Sequence, residues 1–464
     1  MARYIHLYNT DSDFSGVYYG DDYNEPWLSF TIEAERINYN KSEYEKLLGT
    51  PLTFKIISAG TINWVASNSS FTSTIEYKLN DGEWTEITSN TGASAPSISV
   101  NDGDEVKFRG DNTHYTESIY YNGFRDSTAI FEADGNIMSL IDSDGFVTAT
   151  TLTRANIDTF SHLFACCTGL TSTEKLILPA TTLANGCYYG MFSGCTNLTT
   201  APELPATALA NYCYSYMFYG CTRLTTAPEL PATTLTENCY KEMFARCASL
   251  VATPELPAIT YAGGCCWGMF SGCTSLTTGP SVIGTSATTM GVSTCREMFA
   301  FCTSLEQAPA LPATTLANQC YQGMFYSCTT LTTAPELPAT TLANHCYAQM
   351  FSYCSSLTSL PHSLPATTLK GMCYIGMFAD CTSITTAPEL PATTLESWCY
   401  QSMFSGCKNL SYIKCLATDI SANATTSWVV GVASVGTFVK PSTTDWSSKT
   451  GYNGIPANWN VEDA

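Results

Sequence analysis

The chain has 464 residues, 45% hydrophobic and 12% aromatic, which is ample for folding and too long for one ordinary globular core. Only 13% are charged and the net charge is −20, which argues against a nucleic-acid partner, since holding a phosphate backbone needs clustered Lys and Arg. The acidity is concentrated at the front: residues 1–150 hold 23 acids and 9 bases, residues 160–415 only 12 and 8.

Residues 1–50 read as a lead segment. Alternating apolar residues in Tyr4-Ile-His-Leu-Tyr8, Trp27-Leu-Ser-Phe-Thr-Ile32 and the run to Lys41 predict short strands. The N-terminus has no basic segment followed by an apolar core, so it is not read as a secretory signal. The expectation is a protein that leaves its cell without one. No stretch of about 18 apolar residues occurs, so no transmembrane helix is expected.

Residues 51–150 read as an all-β, sandwich-like domain. Strands are predicted at Leu52–Ile57, Thr61–Val65, Thr74–Leu79, Glu83–Ile87, Ser97–Val100 and Glu105–Arg109. Asn80-Asp-Gly82 is read as a hairpin turn in which Asp-Gly accepts positive φ.

From residue 151 to 415 one unit recurs. Its anchors are Phe164, Phe192, Phe218, Phe244, Phe270, Phe299, Phe325, Phe351, Phe378 and Phe404, spaced by 28, 26, 26, 26, 29, 26, 26, 27 and 26 residues. Such a period marks a solenoid, in which no coil buries its apolar face alone. Within a copy, Leu224-Thr-Thr-Ala227 is read as a short strand of a parallel ladder, the following proline column as extended but unpaired, and Leu235–Phe244 as a helical turn or irregular arc. Coils stacked at about 4.8 Å are expected. In residues 416–464, Trp428-Val-Val-Gly replaces the Met-Phe motif at the expected phase, so this region is read as the end cap.

All 22 cysteines fall within the repeats or at their end, and 19 form two columns: one three residues after each anchor Phe, the other four or five before it. Disulfides suit short secreted chains with scarce cores, and equivalent side chains on parallel rungs do not turn their Cβ atoms toward each other. Zinc favours close pairs such as Cys-x-x-Cys, unlike the seven residues between Cys213 and Cys221. The favoured reading is a ladder of small, buried, reduced thiols.

The run Phe-x-x-Cys-Thr-x-Leu-Thr-Thr-Ala-Pro-Glu-Leu-Pro resembles the BspA-like branch of the leucine-rich repeat family, over the stretch from Phe164 to Leu416. This coil is longer than that family's, and Met replaces the small residue before Phe. The resemblance implies a mainly β chain: small N-terminal β modules, then a leucine-rich-repeat solenoid of about ten coils. It further implies a surface protein of gut Bacteroidetes or of their phages. The opening residues, Tyr4-Ile-His-Leu-Tyr8 to Lys41, look like those of structural proteins in such phages.

No catalytic signature is present. His6, His114, His162, His345 and His362 stand in no metal or triad spacing, and no phosphate-cradling glycine loop appears. The column Glu203, Glu229, Glu255, Glu336, Glu389 is a one-sided row, whereas a glycosidase needs two carboxylates across a cleft. Weak Ca²⁺ binding between adjacent rungs is the remaining use for it. The chain is therefore read as non-enzymatic, with no cofactor.

Variation inside the repeat is more informative. The two residues before Met and the two after Phe change while the rest stays fixed, so some of these side chains are expected at the surface. They supply Tyr189, Tyr216, Tyr219, Lys241, Arg246, Trp267, Tyr326 and Tyr353 as candidate contacts, types that dominate binding hot spots. The scaffold is Phe192, Phe218, Phe244, Phe270, Phe325, Phe351, Phe378 and Phe404. The leading expectation is a virion-attached recognition protein touching a host surface glycan or protein, with residues 1–50 contacting other virion proteins. A bacterial surface adhesin and a purely structural virion spacer are the alternatives.

Overall fold

The computed structural model describes residues 41–112, 115–117, 120–153, 158–285, 289–418, 420, 423–446 and 451–464. The strands expected before Lys41, and His6 and His114, lie outside the described residues. Residues 41–48 are helical, which the strand reading of the lead segment did not anticipate.

From residue 47 onward the described chain is mainly β and turn. Its first strands are β1 (Leu52–Ser58), β2 (Gly60–Asn63), β3 (Val65–Ala66), β4 (Thr74–Leu79), β5 (Thr85–Thr88), β6 (Ser97–Val100), β7 (Glu105–Arg109), β8 (Thr116–Glu117), β9 (Tyr120–Gly123) and β10 (Ile130–Asn136). These follow the predicted runs closely, because alternating side chains let each strand bury one face. One detail differs: at the β4–β5 turn the positive φ of 51° falls on Asn80, and Gly82 closes the turn by donating to Leu79 O at 3.0 Å.

The larger sheet runs β5–β4–β7–β1–β10 and then continues into the repeats, where β10 pairs in parallel with β11 (Leu170–Ser172) and β12 (Leu176–Ile177). Phe54 stacks on Phe131 at 4.4 Å, and Phe124 on Phe164 at 5.6 Å, so the first anchor ring rests on the β module. The module thereby covers apolar surface that the first repeat would otherwise expose.

Each repeat then stacks on the next. The anchor phenylalanines form one buried column from Phe164 to Phe404, with centroids 5.4–5.8 Å apart and planes within 10°. This exceeds the strand spacing expected from sequence. The reason is that the anchors sit on turns, where ring-on-ring packing sets the distance.

The turn segment is an arc unlike any helix. From Tyr212 to Cys221, every even-numbered amide donates to the next repeat (Tyr212 to Glu237 O, Tyr214 to Cys239 O, Tyr216 to Lys241 O, Phe218 to Met243 O, Gly220 to Ala245 O). Every odd-numbered amide folds back three residues, as Ser215 does to Tyr212 O and Cys221 to Phe218 O. No amide of the arc is left unpaired, as a buried segment requires. The alternation is produced by left-handed residues at every fourth position, here Tyr212, Tyr216 and Gly220 at φ 61°, 58° and 71°.

The Leu-Thr-Thr-Ala strand is reduced to isolated parallel bridges such as Ala252↔Thr278 and Thr333↔Ser359. A second bridge column, which sequence reading missed, runs through the Pro-Ala-Thr-Thr-Leu stretch and includes β13 (Thr234–Leu235) paired with β14 (Thr260–Tyr261). Prolines in both stretches limit each ladder to a rung or two.

Beyond Phe404 the register persists. Phe404 N donates to Trp428 O at 2.8 Å and Gly406 N to Val430 O at 2.7 Å, which puts Trp428 where other repeats carry methionine. A three-stranded parallel sheet of β15 (Tyr412–Lys414), β16 (Thr437–Lys440) and β17 (Asn460–Asp463) follows the same stacking direction.

All 22 cysteines are unpaired, and only Cys166 is exposed. In the column after the anchor, nine thiols from Cys195 to Cys407 donate to the anchor-Phe carbonyl of the preceding repeat at 2.9–3.1 Å. Cysteine is thus small enough for the core and still ties one repeat to the last. Burial pushes these thiols up, Cys213 to about 12, which keeps them protonated and poorly nucleophilic. Hydrogen-bond register also moves Cys295 out of the column assigned from sequence. Its amide donates to Cys320 O as Tyr214 does to Cys239 O, so Cys295 and Cys266 occupy the tyrosine column instead.

Candidate binding surface

The variable positions flank the buried Met-Phe pair, and they divide. Ser215, Ala348, Ser352, Gly190, Gly268 and Gly323 are buried, so variation there does not mean exposure. Packing between repeats governs it. A Cβ on Gly190 would meet the His162 ring at 3.1 Å, one on Gly268 the Glu242 Cγ at 2.9 Å, and one on Gly323 the Glu297 Cγ at 3.2 Å. A long side chain in one repeat lies over the glycine of the next.

The remaining side chains meet in a stripe across successive repeats. Tyr121 stacks on His162 at 4.4 Å, His162 lies 5.3 Å from Tyr189, and Tyr189 lies 5.4 Å from Tyr216. Tyr216 touches Tyr219 at 5.8 Å, and its hydroxyl donates to Glu242 Oε1 at 3.0 Å. Cations then interleave with rings: Lys241 Nζ sits 4.1 Å from the Trp267 ring and 5.8 Å from Tyr216, Arg246 lies 5.4 Å over Tyr219, and Arg296 lies 4.8 Å over Trp267. At the other end Arg125 lies 5.2 Å over Tyr121. Such contacts hold each cation at a defined place on a ring face.

Six of the eight residues named from sequence therefore come together: Tyr189, Tyr216, Tyr219, Lys241, Arg246 and Trp267. Tyr326 and Tyr353 form a second cluster with Phe301, at 5.3 Å each. Sequence reading missed His162, Glu242, Arg296, Glu297, Phe301, Tyr121 and Arg125. Aligning the 29-residue copy on Phe299 would have put Arg296 and Phe301 in variable columns. Tyr121 and Arg125 come from the β module, and no periodicity points to them.

Several of these residues sit at left-handed backbone: His162, Tyr216, Glu242, Arg246, Glu297, Phe301 and Tyr353 at φ 49–65°. Equivalent positions elsewhere are glycine, as at Gly190, Gly194 and Gly272. A bulky residue there costs about 1–2 kcal/mol that glycine avoids. Burial holds the His162 imidazole down at about 4, so it is neutral at pH 7, with Nδ1 against Ser161 Oγ at 2.9 Å. Burial and the neighbouring Glu242 carboxylate raise the Tyr216 phenol.

Beside Trp267 the stripe opens into a depression of about 150 Å³, lined by Tyr219, Glu242, Ala245, Arg246, Trp267, Gly268, Ser271 and Glu297. The carboxylate row expected to be one-sided is so: Glu203, Glu229, Glu255 and Glu336 are exposed, and Glu389 pairs with Lys414 at 3.0 Å. Among the described residues no three His, Cys, Asp or Glu side chains gather closely enough to hold a metal, so that row forms no Ca²⁺ cage. His345 and His362 lie outside the stripe's contacts. No described helix is long and apolar enough to cross a membrane.

No family model and no curated protein matches the chain. Among solved structures it is similar to a leucine-rich repeat protein from Bacteroides ovatus, at 16% identity and a TM-score of 0.31, over 73% of this chain and 95% of that one.

Proposed function

We propose that the chain is a non-enzymatic recognition protein whose stacked repeats form a BspA-like leucine-rich-repeat solenoid of about ten coils, closed by residues 416–464. The observation that carries this reading is the stripe from Arg125 to Arg296, in which rings and cations alternate on the surface. Its residues occupy left-handed positions at a cost to stability, and nothing in the core requires them there. A surface maintained against stability is a surface in use. The reading places the chain at a virion or cell surface, with residues 1–50 as attachment segment and a cell-surface glycan or protein as partner.

The test is attachment of labelled full-length protein to cells of gut Bacteroidetes, compared with a Tyr216→Ala, Arg246→Ala, Trp267→Ala variant. The expected result is at least about a tenfold loss, given hot-spot costs of about 2 kcal/mol or more. Undiminished attachment by a variant with unchanged circular dichroism would leave only the spacer alternative. Finding the chain in purified phage particles or in an outer-membrane fraction separates virion protein from bacterial adhesin.

A further inference from the structure

We propose that the depression beside Trp267 is a subsite for a saccharide residue carrying a carboxylate, such as a hexuronate within a polymer. The proposal rests on the recognition reading and names the chemistry of its ligand.

Size comes first. About 150 Å³ equals the volume of an engineered cavity that takes benzene, and lies well below the roughly 300–1,000 Å³ of sites for larger molecules. The space therefore suits one six-membered ring. It exists because Ala245, Gly268 and Ser271 form a low floor between taller neighbours. Gly268 cannot be larger, since it has φ 60° and lies under Glu242.

The lining supplies what a sugar ring needs. Tyr219 and Trp267 offer π faces, whose negative quadrupole attracts the weakly positive C–H face of a pyranose. Glu242 and Glu297 offer oxygens to hydroxyl groups. Their charge is already partly answered, by the Tyr216 hydroxyl at 3.0 Å and by Arg296 Nε at 3.1 Å.

Charge then selects among sugars. Residues 160–415 hold only eight bases, and three of them, Lys241, Arg246 and Arg296, meet here. Arg296 has Glu297. Lys241 and Arg246 lie over rings, and among the described residues neither has a carboxylate within ion-pair distance. A neutral sugar would leave both cations without a counter-ion, whereas a carboxylate on the ring supplies one. An acidic peptide would satisfy the cations but would bring no flat C–H face for Trp267.

The experiment is calorimetric titration of the full chain with glucuronate-, galacturonate- and sialate-containing oligosaccharides and with their carboxyl-reduced counterparts, which keep the ring and lose the charge. The acidic form of at least one is expected to bind about tenfold or more tightly than its reduced form. The Lys241→Met, Arg246→Met variant should lose that discrimination, and Trp267→Ala should weaken both forms. Equal binding of acidic and reduced forms overturns the carboxylate claim. If no saccharide binds while Trp267→Ala still abolishes cell attachment, the subsite proposal falls and the recognition reading stands. Arg246-dependent binding of poly-glutamate with no saccharide binding likewise overturns it, in favour of an acidic peptide.

Discussion

Two parts of the repeat stack solve one packing problem differently. In the repeats anchored on Phe192, Phe218 and Phe244 a second buried column, Tyr188, Tyr214 and Tyr240, runs beside the phenylalanines at 5.7–6.1 Å. In those anchored on Phe270 and Phe299 this column drops to Cys266 and Cys295, and it resumes at Tyr321. The missing rings are replaced from the facing wall. The column that reads Leu183 and Leu235 becomes Tyr261 and Met290 before returning to Leu316, and Tyr261 is buried against Cys266 and Cys295. The phenylalanine column passes through undisturbed, with both steps at 5.6 Å. What the stack conserves is volume per layer, and side-chain identity is free to trade across it. The same two repeats carry Trp267 and Arg296 outside.

The largest effect expected is in a regular repeat. Phe244→Ala removes a fully buried ring between two stacked neighbours and should cost about 3–5 kcal/mol. A denaturant midpoint that does not move would break the comparison at its root, because the column would not be a shared core.

The exchange of volume is tested directly by putting a tyrosine back. Cys266→Tyr, with Tyr261 still present, overpacks the layer and should destabilise by about 1–3 kcal/mol. Adding Tyr261→Leu recreates the regular arrangement and should restore stability to within about 1 kcal/mol. Simple additivity of the two changes, by chemical denaturation, would show that the columns do not share space.

A smaller effect comes from His162, where the stack meets the β module. Its folded-state value of about 4 lies below the ordinary 6.5, so the unfolded chain binds the extra proton first. The contribution is complete above pH 6.5 and is lost as pH falls toward 4, on the order of 1–3 kcal/mol in all. His162→Gln should flatten the stability profile in that window. A profile identical to that of the unsubstituted protein would mean that the imidazole is not buried against Tyr121.

Much of this was legible in the residues alone. Equal spacing of Phe164 to Phe404 announced a shared core, since only a stacked arrangement gives each copy the same environment. The β-module strands followed from alternation, and the thiol columns from period and composition. Why the cysteines recur was not legible, because the bond from Cys221 to Phe192 O spans 29 residues and exists only once the repeats are in register.

By itself, then, the chain determined its period, its apolar anchors and its residue types at the variable positions, all of them local or periodic properties. Tertiary structure decided which variable positions face outward, since Glu242 covers Gly268 only through stacking. It also carried Tyr121 and Arg125 onto a stripe built otherwise by repeats. It set the left-handed arc as well, whose backbone strain is tolerable because alternate amides find their partners in the next repeat. Each of these depends on neighbours some 26 residues away, and no local pattern encodes that proximity.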